Sequence, residues 1–345
     1  MSAICWNCRG LGNPRTVGTL QKLVLEEDPT LVFLMETKFN VEEMVEIKRK
    51  LERSQGLVVP SVRRSGGLAL LWKESLLVDV QTFSPRHIDV IVTEDAGKMK
   101  WRFTGFYGNP ETHKREESWS LLVSLSTRCD LPWVCMGDFN EICHRGEKTG
   151  GGERPEWQMS AFRSAINRSK LRDMGCVGPE FTWSRRLRAR GWVRERLDRA
   201  LVSTNWAGLF PGVRLYNRAT CSSDHNILIL KTLPPKSRSK RQRLFRFEAM
   251  WIKKDDCAEV VKEAWERGQM LGLQNQFRLC MDECRSALQS WNKTNFGHVG
   301  RKIASLSKKL QWLECLPGGV ANMEEINETK GELIRMLSAE EVMWK

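Results

Sequence analysis

The sequence contains no apolar run approaching the ~18–20 residues a helix needs to cross a bilayer, which excludes a helical membrane-spanning protein. Its first residues, Met1 to Arg9, carry neither a basic n-region nor a long apolar h-region, so no secretory signal is expected. The 11 cysteines lack the spacing of a disulfide framework, and 345 residues are too many for a disulfide-stapled miniprotein. Cys5-x-x-Cys8 has no second pair at metal-ligand spacing, so reduced, mostly buried thiols are expected rather than zinc. Gly150-Gly151-Gly152 is not followed by Gly-Lys-Ser/Thr and is therefore not a P-loop; it reads as a flexible loop. Tyrosine is scarce, 2 residues against 14 tryptophans. Tryptophan is usually spent on packing, and stacking on bases is its less common use. No repeat of fixed period and no low-complexity tract is present.

What is there describes a globular chain: 41% hydrophobic and 28% charged residues. The formal net charge is +13, and the excess is spread along the chain. Residues 1–231 carry 35 Lys and Arg against 27 Asp and Glu, and residues 232–345 carry 20 against 15. Such a balance favours polyanions, nucleic acid among them, through counterion release. The plain alternative is charge for solubility.

Apolar runs of strand length occur at Ala3–Trp6, Leu31–Met35, Leu68–Trp72, Ile88–Val92, Trp101–Tyr107, Trp133–Met136, Val193–Val202 and Ile227–Leu230. Helices are expected at Val17–Glu27, Val41–Ser54, Glu116–Cys129 and Pro155–Arg168. Strands with helices between them predict an α+β fold built of two packed sheets with flanking helices. Pro234-Pro235 and the basic run Lys236–Arg243 mark a break, read as a linker over 232–243 that is either solvated or a nucleic-acid contact or nuclear address. Residues 244–345 read as a helical C-terminal extension. There Ile303, Leu306, Leu310 and Leu313 recur at heptad spacing, so association through 303–313 is open.

Polar groups gather just past the apolar runs. Asn7 follows the first, Glu36 the second, Tyr107 ends Trp101–Tyr107, and Asp138 and Asn140 close Trp133–Asn140. Asp198 lies in Glu195-Arg-Leu-Asp-Arg199, and Asp224-His225 precedes the last run. Brought to one sheet edge they would form an acidic pocket with one histidine. Hard oxygen donors of this kind suit Mg²⁺ or Mn²⁺. A divalent ion beside an aspartate and a histidine is an apparatus for phosphoester hydrolysis. Each motif also has an ordinary reading: Gly-Asp-x-Asn is a turn, and an Asp-His pair is a common structural feature. The arginine-rich stretch Ser184–Arg199 turns at Gly191-Trp192 and offers Arg185, Arg186, Arg188, Arg190, Trp192 and Arg194 to a phosphate backbone. Otherwise it is a solvated edge hairpin.

The ordered set Trp-Asn-Cys-Arg-Gly-Leu-Gly, Glu-Thr-Lys, Phe-Tyr-Gly, Gly-Asp-Phe-Asn, Arg-Leu-Asp-Arg and Ser-Asp-His resembles the endonuclease/exonuclease/phosphatase superfamily. It is most similar to the apurinic-endonuclease-like domain of plant non-LTR (LINE-type) retrotransposons. The resemblance covers residues 1–231 and implies a four-layered αββα sandwich. It implies that Asn7, Glu36 and Asp224 serve the metal, Glu36 foremost, and that Tyr107 contacts the scissile phosphate. It implies that Asp138 handles the attacking water with Asn140 orienting, and that Asp198 supports His225. Many family members carry an acid where this chain has Arg9. Phe245–Trp251, Phe296-Gly297 and Glu340–Trp344 resemble the helical spacer that precedes reverse transcriptase in these elements. No Tyr/Phe-x-Asp-Asp follows before Lys345, as in a truncated element or a gene model cut from one. The expected function is a Mg²⁺-dependent endonuclease that nicks one DNA strand, in the nucleus or cytoplasm, with no small-molecule cofactor. A phosphatase of a small phosphoester and an inactive nucleic-acid-binding relic are the alternatives.

Overall fold

The computed structural model describes residues 1–63, 65–94, 99–187, 191–232, 247, 251–252, 254–271, 276–295, 297–316 and 322–344. The chain opens with β1 (Ser2–Asn7), α1 (Pro14–Glu27), β2 (Leu31–Met35), α2 (Val41–Lys50), β3 (Gln55–Val59), β4 (Leu68–Trp72), β5 (Leu77–Ser84), β6 (His87–Glu94) and β7 (Met99–Tyr107). It continues through α3 (Arg115–Ser126), β8 (Trp133–Asp138), β9 (Lys148–Thr149), α4 (Glu156–Arg168), β10 (Leu171–Asp173), β11 (Trp183–Leu187), β12 (Gly191–Glu195), β13 (Asp198–Ser203), α5 (Thr204–Leu209), β14 (Val213–Arg218) and β15 (Ile227–Thr232). Four longer helices follow: α6 (Asp255–Met270), α7 (Gln276–Asn295), α8 (Gly297–Cys315) and α9 (Met323–Trp344).

Local sequence explains the early elements. Asn13 accepts the Arg15 N–H and Pro14 opens α1, a cap that spends orphan donors on a side chain. The helix buries Val17, Leu20, Leu23 and Val24 on one face. Asn40 and Glu43 close a reciprocal capping box at the start of α2. Strands β2 and β4 are buried at every position, as expected of strands covered on both faces.

Two six-stranded sheets result, in the orders β14-β15-β1-β2-β4-β3 and β10-β13-β8-β7-β6-β5. Both are mixed: β1 runs parallel to β2 and β7 parallel to β8, and the remaining pairs are antiparallel. Between the sheets lies a core that includes Phe33, Met35, Leu70, Val90, Phe103, Met136 and Leu228. Phe33 meets Phe103 edge-on at 6.3 Å. Gly105 permits that approach, because a Cβ there would lie 2.4 Å from the Phe33 ring. Helices α1 and α2 cover the outer face of the first sheet through Leu20, Leu23, Met44 and Ile47. Helices α3 and α4 cover the second through Trp119, Leu122 and Phe162. The order of layers is helix, sheet, sheet, helix, and the expected α+β sandwich is the observed architecture.

The chain divides into two compact units: Met1–Pro234 with Leu310–Ile326, and Pro235–Lys309 with Asn327–Lys345. In the second, α6 and α7 pack so closely that a Cβ on Gly268 would lie 2.4 Å from the Cys280 Cα. Trp251, Cys257 and Leu288 form its apolar centre, and Trp291 donates to Asp256 at 2.8 Å. Ile303, Leu306, Leu310 and Leu313 are all buried within this one chain. That stripe is therefore not the open seam for association that heptad spacing suggested. The basic run 236–243, Phe245 and Phe296 lie outside the described residues.

One expected strand is two. Residues 193–202 divide between β12, in a three-stranded sheet with β11 and β9, and β13, in the second large sheet. The break at Arg196-Leu197 is held by charge. Arg196 binds Glu147 and Asp173, each at 2.8 Å, and Arg199 binds Glu147 at 2.8 Å and Asp173 at 2.7 Å. Strands β3, β5, β9, β10 and β14 were not anticipated. In β5 and β14 polar residues alternate with apolar ones and no apolar run forms.

Burial alone would raise the proton affinity of Glu147 and Asp173, but Arg199 and Arg196 more than offset it and hold both carboxyls below their ordinary range. Such a depressed carboxylate stabilises the fold above its unfolded pKa of about 4, and the contribution is lost as pH falls through the folded value. Urea midpoints should therefore fall from pH 5 towards pH 3. Glu147→Gln should be less stable than the parent at neutral pH and show a shallower acid dependence; parallel curves for the two proteins would refute this account.

Candidate active site

Strand direction puts the polar residues together. β1 and β2 are parallel, so their C-terminal ends, Asn7 and the Met35-Glu36 step, share one edge. β15 is antiparallel to β1, so the Asp224-His225 segment before it arrives at that edge. In the second sheet Tyr107 is paired with Asp138 at the ends of β7 and β8, and Asp198 opens β13 opposite Asp138. The two edges meet across the sandwich, where the Asp138 N–H lies 3.3 Å from the Met35 sulfur.

The side chains converge. Asn7 Nδ2 donates to Glu36 Oε1 at 3.1 Å and to Asp138 Oδ2 at 3.0 Å, and it lies 3.5 Å from His225 Nε2. Tyr107 donates its hydroxyl to Glu36 Oε1 at 2.9 Å. His225 Nδ1 is 2.9 Å from Asp198 Oδ2, and its Nε2 is 3.7 Å from Asp138 Oδ2. Asn140 donates its backbone N–H to Asp138 Oδ1 and its Nδ2 to the Gly108 carbonyl, each at 2.9 Å. Asp224 Oδ2 accepts from Trp183 Nε1 at 3.0 Å and pairs with Arg9 at 3.3 Å, and the Arg9 Nε lies 3.7 Å from Glu36. Arg9, Glu36 and Asn140 all hold left-handed backbone, φ +54°, +51° and +56°. Non-glycine residues adopt it at a cost, and such strain gathers at working sites.

Electrostatics follow from burial. Asp138, Asp198 and His225 are 1%, 2% and 3% exposed. Among the described residues they form the one group of three His, Cys, Asp or Glu side chains close enough to share a cation. Burial opposes a charge on the imidazole, but Asp198 and then Asp138 overcome it and raise the His225 pKa well above the ordinary value. Burial, reinforced by Asp198, raises Asp138 in turn, against the pull of His225. The imidazolium thus carries the charge that makes two buried carboxylates tolerable. Burial and then Glu36 hold the Tyr107 phenol firmly protonated.

Eight expected residues, Asn7, Glu36, Tyr107, Asp138, Asn140, Asp198, Asp224 and His225, are brought to one site. The expected phosphate-gripping set is divided. Arg185 and Arg186 are exposed on β11, and Trp192 pairs with Arg186 across the hairpin. Arg188 and Arg190 lie outside the described residues. Arg194 points inward: it is 4% exposed, stacks over Phe181 at 4.7 Å and donates to the Glu314 carbonyl. Alternation along β12 sends it to the opposite face from a solvent-facing arginine. Three contributors went unrecognised. Trp183 holds Asp224, Thr182 Oγ1 accepts the Asp198 N–H at 2.9 Å, and Ser223 Oγ donates to the Asn7 carbonyl at 2.8 Å. Ser223 stood inside the Ser-Asp-His motif; Thr182 and Trp183 have no spacing signal.

The family described as Endonuclease/Exonuclease/phosphatase family matches residues 4–225, well over half of the chain. No curated protein matches. Among solved structures, the AP endonuclease LMAP from Leishmania major is 20% identical with a TM-score of 0.52, over 68% of this chain and 88% of that one. An AP endonuclease from Archaeoglobus fulgidus is 15% identical with a TM-score of 0.52, over 68% and 100%. The 3′-5′ exonuclease NExo from Neisseria meningitidis is 18% identical with a TM-score of 0.50, over 67% and 99%. At such identities these likenesses concern the fold. With the site assembled on that fold and the family match spanning both sheets, the chain belongs to the endonuclease/exonuclease/phosphatase family.

Proposed function

We propose that the chain is a divalent-metal-dependent phosphodiesterase that nicks one strand of DNA, derived from a LINE-type retrotransposon. The observation that carries this reading is the convergence of Asn7, Glu36, Tyr107, Asp138, Asp198 and His225 at one sheet edge. The exposed Arg185 and Arg186 and the net charge of +13 favour a polyanionic substrate over a small phosphoester.

The donor set fits a hard divalent cation such as Mg²⁺ or Mn²⁺. Glu36 and Asp224 are oxygen donors that already share one cation, the Arg9 guanidinium, and Asp224 Oδ1 is buried with no hydrogen-bond partner among the described residues. Glu36, Asp224 and Asn7 would hold the ion, which supplies charge neutralisation at the phosphate when bound. The chain's own groups do the rest. Asp138, more basic than a surface aspartate, takes a proton from the attacking water as the water oxygen bonds to phosphorus. Asn140 and Asn7 fix its two oxygens. His225, kept cationic and oriented by Asp198, binds a phosphate oxygen, and Tyr107 lines the same wall. The P–O3′ bond breaks, the departing O3′ takes a proton from solvent water, and a 3′-hydroxyl and a 5′-phosphate remain.

The full chain should relax supercoiled plasmid to open circles with Mg²⁺ and not with EDTA. Asp138→Asn and His225→Ala should each lower the rate by about 10²–10⁴-fold, the usual weight of a positioned acid or base. Nicking by both variants at the parent rate would sink the assignment, as would phosphate release from small phosphoesters with plasmid left intact.

Arg9 supplies a second test, free of catalysis. Two half-exposed ion pairs are worth about 0.2–1 kcal/mol each. Arg9→Gln should therefore tighten Mn²⁺ binding by roughly two- to thirtyfold in titration calorimetry. An unchanged or weaker affinity would show that the ion does not compete with Arg9 for Glu36 and Asp224.

A further inference from the structure

The segment from Ala219 to Asn226 joins β14 to β15 and carries Asp224 and His225. Both of its ends are held by one turn of α8. Gln311 and Glu314 stand three residues apart, on one face of that helix. The Gln311 side chain works as a strand would: its Oε1 accepts the Ala219 N–H at 2.8 Å and its Nε2 donates to the Asn217 carbonyl at 2.9 Å. At the other end Glu314 Oε2 accepts from Asn226 Nδ2 at 3.1 Å. The Glu314 backbone carbonyl also takes the Arg194 guanidinium at 3.3 Å. These are interior contacts. Asn217, Asn226, Arg194 and Glu314 are 1%, 6%, 4% and 6% exposed, and Leu310 and Leu313 seat the same turn at 1% each. Residues 310–326 belong to the same compact unit as the sheets.

The contacts continue to the site. Asn226, next in the chain to His225, donates its N–H to the Thr182 carbonyl at 2.7 Å. Thr182 Oγ1 accepts the N–H of Leu197 at 3.0 Å and of Asp198 at 2.9 Å. Asp198 in turn holds His225 at 2.9 Å. A buried side-chain bond that fixes a loop end is costly to leave unmade, so removing it frees the loop rather than exchanging one partner for another.

We propose that Gln311 and Glu314 are positioning residues. They clamp both ends of the loop that presents Asp224 and His225, which makes the last turn of α8 a working part of the hydrolase. The activity arm of this proposal rests on the nuclease reading; the structural arm does not.

The test uses the full chain with Gln311→Ala, Glu314→Ala and the conservative Glu314→Gln, which keeps an oxygen for Asn226. Amide exchange over 219–226 should quicken in both alanine variants while exchange over 133–138 stays unchanged. The nicking kcat should fall by about 10²-fold, the scale of a small misplacement, with KM for plasmid held within twofold. Glu314→Gln should restore both. Unchanged exchange over 219–226 in both alanine variants overturns the clamp. Quicker exchange with a parental kcat, or a loss that Glu314→Gln does not restore, overturns the positioning role. A parent chain that nicks no DNA overturns the nuclease reading alone, and the exchange measurement still decides the clamp.

Discussion

Two carboxylates, Asp138 and Asp198, are removed almost wholly from water with one imidazole between them. Uncompensated, that burial costs several kcal/mol per ion. The charge on His225 and the donors that Asn7 and Asn140 give to Asp138 make it tolerable. This arrangement demands much of the fold. Asp138 and Asp198 belong to one sheet, and Asn7 and His225 to the edge of the other. The sheets must therefore stack with the edges that carry these residues in register. The close approach of Phe33 to Gly105 and the contact of Met35 with Asp138 are what that stacking looks like in the core.

Cations are shared out between structure and chemistry. The net charge of +13 invites a reading in which arginines face a polyanion. Several do something else. Arg102 is 1% exposed and forks onto Asp89 at 2.8 and 2.9 Å; Arg196 and Arg199 tie Glu147 to Asp173; Arg194 stacks over Phe181. Arg9 lies between these roles, half-exposed and balancing the two carboxylates that also suit a divalent ion. Charge that looks like an excess along the chain is in part internal stitching. Arg185 and Arg186 on β11 are among the cations that stay exposed to solvent.

The C-terminal helices are not a uniform appendage. Most of α6, α7 and α9 belongs to a second unit with its own apolar centre around Trp251 and Leu288. Residues 310–326 belong with the sheets, and through Gln311 and Glu314 they reach the loop of His225. The covalent boundary suggested by two prolines and a basic run is thus not where the packing of the first unit ends.

Much was legible in the residues themselves. Continuous apolar runs marked β1, β2, β4 and β8, because strands covered on both faces have no polar alternation to blur them. Polar residues placed just past those runs marked Asn7, Glu36 and Asp138, since the end of a buried strand is where a polar side chain can first reach a cleft. Residue type alone also decided the chemistry on offer: oxygen donors, one imidazole, one phenol. The tertiary structure decided the rest. Which way Arg194 points, why residues 193–202 serve two sheets, and that Glu314 answers Asn226 across 88 positions depend on strand pairing and helix docking. Asn7 and His225 meet across 218 positions for the same reason. A local sequence encodes period and polarity; which partner it meets is set by the free energy of packing the whole chain, which no short segment contains.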